Sequence, residues 1–317
     1  MNRIRTIRST AIAALLVATL AACSTSAAER STQPSRERST AATSTPTATV
    51  PATPRPTEPV DDLFPVGAEE ARMHLACSGA GSSTVVFVAG FGGDSTSWAA
   101  VAPAVAKETR VCTYDRYGTG TSDAPPTDQT FGSQAEDLRE LLRAAGEPGP
   151  YVVAGHSFGG AEAVTFASRF ADEVDALLLV DASPVEWPTA ACAVPDDGSE
   201  MGAGFRGTCA TFDPAHNPER LDAAAAFAEV GRIDTLGDLP LVITTRADAD
   251  YPGLSDDARA ALASTWQKGQ EHWASLSTDA TIVPVEDTSH SIQLDQPAVV
   301  IEHLSGLLRR THARHPA

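Results

Sequence analysis

The sequence predicts an α/β domain built on a mostly parallel central sheet with helices on both faces. Six short apolar runs recur along the chain, at Thr84–Ala89, Arg110–Tyr114, Tyr151–Ala154, Ala176–Val180, Leu239–Thr244 and Ala280–Val285. Stretches with helical periodicity separate them, and this alternation is typical of parallel sheets. Because the runs are almost continuously Val, Leu and Ile, we expect each strand to be covered on both faces.

Three segments between or after these runs have the spacing of amphipathic helices: Gln134–Ala145, Ala161–Phe170 and Pro297–Arg310. In the last segment, one face collects the apolar residues Val300, Leu304, Leu307 and Leu308. The interval 182–238 breaks the alternation, because its 57 residues separate two predicted neighbouring strands and a crossover needs far fewer. We expect this interval to be an inserted lid.

The first 22 residues have the features of a secretory signal peptide. Three arginines precede an apolar run at 11–22, and as a helix this run would rise only about 18 Å, too short to span a bilayer. The following Leu20-Ala21-Ala22-Cys23 resembles the lipobox of bacterial lipoproteins, in which the cysteine is acylated. The resemblance implies export and a lipid anchor on Cys23 at the outer face of the bacterial cell membrane. The alternative is an ordinary signal peptide with a coincidental cysteine.

Residues 23–60 have the composition of a disordered tether. Of the 37 residues after Cys23, 27 are Ser, Thr, Pro or Ala, and none is Leu, Ile, Met or aromatic. Such a segment cannot bury enough apolar surface to offset the entropy of ordering. A glycosylated stalk is also compatible with this composition. The folded domain is expected at 61–317.

Residues 1–60 are net positive, and the rest of the chain is strongly negative. The chain has a net charge of −18, but residues 1–60 carry seven Arg and three Glu, which leaves −22 for the rest. So acidic a domain argues against nucleic acid as a partner, because phosphate binding needs clustered Lys and Arg. It would also be repelled by anionic lipid within about 8–10 Å, which favours a soluble, diffusing substrate.

A candidate nucleophile follows the run at 151–154. The sequence Gly155-His156-Ser157-Phe158-Gly159 is a G-x-S-x-G motif between a predicted strand and a predicted helix. Glycines at these positions permit a sharp, strained turn that exposes the hydroxyl of Ser157 at the top of the sheet. We therefore expect Ser157 to be the nucleophile.

Two further motifs accompany this turn. They are Val88-Ala89-Gly90-Phe91-Gly92-Gly93 and Tyr114-Asp115-Arg116-Tyr117-Gly118-Thr119-Gly120-Thr121-Ser122-Asp123. Together with the G-x-S-x-G motif they resemble serine hydrolases of the α/β-hydrolase superfamily over roughly residues 72–310, with Ala89 where His is usual. The resemblance implies that family's fold, with the lid after the sixth strand. It also implies an oxyanion hole formed by the backbone N–H groups of Phe91 and Phe158.

A serine hydroxyl needs a neighbouring base, because it is a weak nucleophile at its free pKa. Of the eight histidines, His290 follows the last predicted strand, where the α/β-hydrolase fold requires the base. The order serine, acid, histidine is also that of this fold, and not that of chymotrypsin or subtilisin.

The triad acid is open among three aspartates. In this family the acid usually follows the seventh strand, which indicates Asp248 or Asp250. Some members place it after the sixth strand, which indicates Asp181 in the sequence Val180-Asp181-Ala182-Ser183. Because relatives of this branch keep that aspartate, Asp181 is favoured over Asp248, and Asp250 is third.

Four cysteines remain besides Cys23, and an even number in an exported domain predicts disulfides. Cys77 and Cys112 lie on predicted strand segments flanking the first parallel unit, whereas Cys192 and Cys209 both lie in the insertion. We expect the pairs Cys77–Cys112 and Cys192–Cys209, with free buried thiols as the alternative.

These residues predict a serine hydrolase that cleaves a small-molecule, ester-like substrate through an acyl-enzyme. A serine nucleophile argues against the haloalkane dehalogenase and epoxide hydrolase chemistry that uses an aspartate in this fold. No cofactor is expected. No metal is expected either, since the D-x-D-x-x-G at 248–253 lacks the remaining calcium ligands. The alternatives are acyl transfer to another acceptor, cofactor-free peroxidation on the same site, and a non-catalytic surface binding or sensing protein.

The lid carries four large aromatic residues, Trp187, Phe205, Phe212 and Phe227. They either line an apolar acyl or aromatic substrate site or form the core of the lid itself. The sequence leaves the oligomeric state open.

Overall fold

The computed structural model of the protein describes residues 56–67, 71–195 and 198–314. The predicted signal peptide, Cys23 and most of the predicted tether lie outside the described residues.

Within the described residues, eight strands form one sheet. They are β1 (Val60–Val66), β2 (Ala71–Ser78), β3 (Thr84–Val88), β4 (Arg110–Tyr114), β5 (Tyr151–His156), β6 (Val174–Val180), β7 (Leu241–Arg246) and β8 (Ala280–Val285). Their order across the sheet is β1-β2-β4-β3-β5-β6-β7-β8. The pairs β1–β2 and β2–β4 are antiparallel, and the remaining neighbours are parallel.

The predicted fold class is confirmed. Each of the six predicted runs overlaps a strand from β3 to β8, and the shifts at their ends are one or two residues. The runs do not include β1 and β2, because these strands are only partly buried and polar residues interrupt their apolar ones. They form an antiparallel extension beside β4, where one face of the sheet meets solvent.

Helices cover both faces of the sheet. In the described ranges they are α1 (Ala102–Val105), α2 (Phe131–Ala144), α3 (Phe158–Arg169), α4 (Trp187–Cys192), α5 (Glu200–Ala210), α6 (Ala223–Val230), α7 (Asp256–Ser275), α8 (Ile292–Asp295) and α9 (Pro297–Arg314). The three predicted helices correspond to α2, α3 and α9. Helix α7 is absent from the prediction because its buried face includes Gly269 and Gln270 beside Trp266 and Trp273, so its apolar periodicity is weak.

The core forms two layers, because successive strand residues point to opposite faces of a sheet. In β3, Val86 and Val88 pack in the layer that includes α2 and α3, whereas Val85 and Phe87 pack in the layer that includes α1 and α9. The predicted apolar face of α9 is fully or almost fully buried in this second layer. Strand β3 is therefore packed on both faces.

The expected lid is confirmed as an insertion between β6 and β7, and it carries α4, α5 and α6. A disulfide between Cys192 and Cys209 links α4 to α5, and one between Cys77 and Cys112 links β2 to β4. Both are the expected pairs. A search of the described helices finds none that combines the length and the apolar character needed to cross a bilayer.

Gly118 lies where the lid meets the loop after β4. Its φ is +78°, in the left-handed region, and a Cβ at this position would collide with the carbonyl oxygen of Pro218 in the lid. The glycine therefore allows the lid to pack directly against this loop.

Replacing Gly118 with Ala should destabilise the domain through both backbone strain and this collision. Gly146→Ala is the matched control, because Gly146 has a similar φ of +72° but nothing within 4 Å of a Cβ. The control should lower the free energy of unfolding by roughly 1–2 kcal/mol, and Gly118→Ala by roughly another 1–3 kcal/mol from overpacking. Urea unfolding measures both, and equal losses would contradict close packing of the lid at Gly118.

Candidate active site

Ser157 occupies a strained turn between β5 and α3. Its φ is +55°, which is unusual for a residue with a side chain. The turn is tight because a Cβ on Gly155 would collide with the carbonyl of Gly159, and one on Gly159 with the carbonyl of Ala89. The Ser157 N–H donates to the Val180 carbonyl at 3.2 Å, which ties the turn to the end of β6. The predicted sharp turn between strand and helix is therefore present at Ser157.

Ser157, His290 and Asp181 form a continuous hydrogen-bonded chain. The Oγ of Ser157 lies 2.9 Å from Nε2 of His290, and Nδ1 of His290 lies 2.7 Å from Oδ2 of Asp181. With a proton on Nδ1, the imidazole donates to Asp181 and can accept the serine proton at Nε2. The three groups come from the loops after β5, β6 and β8.

Asp181 is completely buried and receives several donors. Its Oδ1 accepts from the hydroxyl of Thr245 at 2.9 Å, the backbone N–H of Arg246 at 3.2 Å and Nε1–H of Trp266 at 2.8 Å. The Nε of Arg246 lies 3.3 Å from Oδ2. Burial raises the pKa of Asp181, but the hydrogen bond and charge of His290, the charge of Arg246 and the Trp266 hydrogen bond outweigh it, so the pKa lies below its usual value. Asp181 is therefore held as a carboxylate.

His156 contacts both the backbone and the ring of His290. Its Nε2 lies 3.0 Å from the backbone carbonyl oxygen of His290, and the two ring centroids are 4.6 Å apart. Burial, reinforced by the nearby His290, lowers the pKa of His156 to about 3. His156 is therefore neutral near pH 7, and its Nε2–H donates to the carbonyl, which fixes the loop that carries His290.

The expected oxyanion donors flank Ser157. Phe158 begins α3, and Phe91 lies in the turn after β3. Among the described groups, neither backbone N–H has a hydrogen-bond acceptor. The Phe91 and Phe158 rings stack with centroids 5.3 Å apart, so the two residues lie side by side. Both residues line the same cavity as Ser157.

A buried arginine and a carboxylate from the lid hold the turn that carries Phe91. Arg116 donates from Nη1 to the carbonyl of Ala89 and from Nη2 to the carbonyl of Gly90, each at 2.6 Å. Glu219 of the lid accepts from Nε of Arg116 at 2.7 Å and from the backbone N–H of Gly92 at 2.5 Å. The peptide groups on both sides of the Phe91 N–H are thereby fixed.

Ser157 and His290 open into a cavity of about 350 Å³. Its wall is mainly aromatic and also includes Arg246, the residues being Gly90, Phe91, His156, Ser157, Phe158, Trp187, Thr208, Phe212, Arg246, Tyr251, Trp266 and His290. Of the four lid aromatics, Trp187 and Phe212 line this cavity, and Phe205, Phe212 and Phe227 belong to the buried core. Both expected roles therefore occur, and Phe212 combines them.

Comparison with known proteins agrees with this architecture. A family model described as "alpha/beta hydrolase fold" matches residues 83–213, which include the Phe91 turn, Ser157 and Asp181. The chain has the α/β-hydrolase fold.

Relatives and solved structures extend this similarity along the domain. The chain is 24% identical to the uncharacterized protein YqjL of Bacillus subtilis over 230 residues, covering 70% of this chain and 82% of YqjL. An esterase of Thermogutta terrifontis superposes with a TM-score of 0.55 at 24% identity, covering 80% of this chain and 99% of the esterase. Cfl2 of Burkholderia cenocepacia gives 0.56 at 20% identity, covering 78% and 94%. Other curated relatives match over shorter stretches, and the chain spans about two fifths of their length or less.

In this α/β-hydrolase fold, the candidate acids occupy different places. Asp181 lies against His290, whereas Asp248 and Asp250 line a second cavity of about 830 Å³. Asp250 also lies 3.6 Å from Arg259. The two cavities share Arg246 and Trp266 in their walls.

Several residues that build the site are absent from the sequence prediction. Trp266 and Arg246 contact Asp181, Glu219 holds the Phe91 turn, and the Oγ of Ser183 lies 3.2 Å from that of Ser157. Arg116 lies in the motif at 114–123, but that motif does not predict its ion pair with Glu219. A single sequence carries no signal for such contacts, since they join residues up to 127 positions apart.

Glu219→Gln should destabilise the domain, because it leaves the buried Arg116 with a weaker partner. The remaining carboxylate, Glu162, lies 3.4 Å away. We expect a loss of roughly 3 kcal/mol in the free energy of unfolding. Glu229→Gln is the control, since Glu229 also accepts a backbone N–H, that of Gly132 at 2.9 Å, but is only half-buried.

The control should lose less than about 1 kcal/mol. Chemical denaturation followed by tryptophan fluorescence measures both variants. Equal losses for the two would contradict a special role of Glu219 in holding the lid to the Phe91 turn.

Proposed function

We propose that this protein is a serine hydrolase that cleaves ester-like bonds through a covalent acyl-enzyme. The observation that carries the proposal is the hydrogen-bonded chain from Ser157 through His290 to Asp181, at 2.9 and 2.7 Å, beside two unused backbone donors. The similarity to a solved esterase of the same fold agrees with this chemistry.

Each group has one role in the proposed reaction. Ser157 Oγ attacks the substrate carbonyl while His290 Nε2 takes its proton, and Phe91 and Phe158 N–H groups stabilise the resulting oxyanion. The intermediate collapses when His290 returns the proton to the departing alcohol, leaving an acyl group on Ser157. Water then gives a proton to His290 and attacks the acyl carbonyl. When this second intermediate collapses, His290 returns the proton to Ser157 Oγ, and the acid is released.

Asp181 is the proposed third member of the triad. It contacts Nδ1 of His290, so it fixes the imidazole tautomer and stabilises the imidazolium during each proton transfer. Burial raises the pKa of Asp181, but its donors and the neighbouring charges of His290 and Arg246 hold that pKa below its usual value, which supports this role because the group stays ionised at neutral pH. The elbow serine also distinguishes the proposed chemistry from that of relatives of this fold with an aspartate nucleophile.

The proposed substrate is a small, partly apolar ester. The aromatic wall of the cavity beside Ser157 favours apolar acyl or aryl groups, and its volume of about 350 Å³ suits a small molecule. The net charge of −22 from residue 61 onward disfavours approach to anionic lipid, which favours a soluble substrate.

We also propose that the protein is exported and held at the outer face of the bacterial membrane through lipidated Cys23. The support is the sequence Leu20-Ala21-Ala22-Cys23 at the end of an apolar run. The two disulfides of the domain agree with an oxidising compartment.

A neutral fluorophosphonate probe should label the wild-type protein on Ser157, because the probe reports a serine activated by its histidine. Ser157→Ala should abolish labelling. Ser183→Ala is the control, since it removes a neighbouring buried hydroxyl but not the nucleophile, and labelling should persist. Gel fluorescence and peptide mapping read the result, and a wild-type protein that stays unlabelled would contradict the hydrolase.

The two favoured acids can be separated by matched amide variants. Asp181→Asn should lower kcat for a 4-nitrophenyl ester by roughly 10³–10⁴-fold, because the amide no longer fixes the His290 tautomer. Asp248→Asn should leave kcat near the wild-type value, since Asp248 is exposed and lies in the other cavity. Small and equal losses in both variants would rule out a triad that uses Asp181.

A further inference from the structure

Arg246 connects the proposed triad to the substrate cavity. Its Nε lies 3.3 Å from Oδ2 of Asp181, and its side chain lines both cavities. The guanidinium carbon lies 4.5 Å from the centre of the Trp266 ring and 5.4 Å from that of Tyr251. Arg246 is therefore held by aromatic faces at the wall of the cavity, next to the buried carboxylate.

Most of the hydrogen-bonding capacity of this guanidinium is unused. Of its five N–H donors, one on Nη2 donates to the hydroxyl of Tyr251 at 3.0 Å. The Nε lies 3.3 Å from Oδ2 of Asp181 but donates no hydrogen bond to it. The other donors have no acceptor among the described residues, although the side chain is only 11% exposed. A cation held in a largely desolvated position with free donors is arranged to bind an anionic group.

Apart from Arg246, the described residues in the wall of the cavity near Ser157 include no Asp, Glu, Lys or Arg. The wall contains two histidines besides Arg246, and His156 is neutral because burial, together with the nearby His290, lowers its pKa. The carboxylates nearest along the chain are Asp248 and Asp250, which are exposed and therefore screened, and Asp250 faces Arg259. The overall acidity of the domain thus acts weakly on a ligand inside this cavity.

The charge balance of the proposed reaction supports the same role. At rest, Arg246 and Asp181 compensate each other. When His290 takes the serine proton, Asp181 faces two cations. The positive charge of Arg246 then repels that of the imidazolium. A carboxylate on the substrate would compensate Arg246 and leave Asp181 to His290.

We infer that the site prefers esters that carry a carboxylate, with Arg246 as the residue that binds it. This inference rests on the proposed function, because it names the substrate class of the same site. Arg246 acts as a specificity-determining residue and is not one of the groups that form or break bonds in the proposed reaction.

The experiment compares kcat/KM for matched charged and neutral esters. One pair places the charge on the acyl group, mono-4-nitrophenyl adipate against 4-nitrophenyl hexanoate. The other places it on the leaving group, 3-carboxyphenyl butyrate against 3-(methoxycarbonyl)phenyl butyrate. In at least one pair the charged ester should be favoured about 10- to 100-fold, the effect expected of hydrogen bonds to a charged group.

Variants assign that preference to Arg246. Arg246→Gln should bring the charged-to-neutral ratio to about one or below, and Arg246→Lys should keep part of it, because the charge remains without the forked donors. Arg259→Gln is the matched control: Arg259 is half-exposed, pairs with Asp250 and Asp256 and lines neither cavity, so the ratio should not change.

A wild-type ratio of one or below in both pairs overturns the inference, even if Arg246→Gln fails to fold. An equal loss for both esters in Arg246→Gln also overturns it, since Arg246 would then act only through Asp181. Fluorophosphonate labelling of Ser157 separates the two proposals. Labelling and neutral-ester hydrolysis without charge preference defeat only this inference, whereas absence of both defeats the hydrolase and the inference with it.

Discussion

The buried charge of Asp181 is the constraint on which the rest of the site depends. A carboxylate without solvent exposure is costly unless donors surround it. Its donors come from β7, from α7 through Trp266, and from the loop after β8 through His290. These elements must therefore converge at one point above the carboxyl ends of β6 and β7. Helix α7 supplies none of the residues Ser157, His290 and Asp181, but the hydrogen bond from Trp266 holds it to the sheet at the same point.

Arg116 imposes a second constraint, and it ties the lid to the sheet. A buried guanidinium needs compensation, and in this chain the compensation comes from Glu162 on α3 and Glu219 in the lid. Burial raises the pKa of Glu162 to about 7, against the lowering effects of Arg116 and Tyr114. Glu219 lies closer to Arg116, at 2.7 Å, and is the better placed counter-charge. Since Glu219 also accepts from the Gly92 N–H, this part of the lid is a support of the Phe91 turn and not a detachable cover.

The features predictable from sequence are those set by neighbouring residues. Six strands, the elbow at Ser157 and the face of α9 follow from local apolar spacing and turn chemistry, and His290 follows from the order of elements in the fold. The partly polar strands β1 and β2, and α7 with its polar buried positions, lack such a pattern. The contacts of Trp266, Arg246 and Glu219 depend on packing between distant segments, which one sequence does not encode in any local motif.

The place of Asp181 shows why packing decides where the sequence leaves a choice among three aspartates. β6 and β7 are parallel neighbours, so an aspartate after either strand ends near the same edge of the sheet. Asp181 follows β6 directly, with a φ of +44°. Thr245 and Arg246 at the end of β7 supply donors to it. Because β7 supplies donors at this point, a second carboxylate there would repel Asp181 and leave Arg246 shared between two anions. The positions after β7 are thereby free to face the neighbouring cavity, where Asp248 and Asp250 lie.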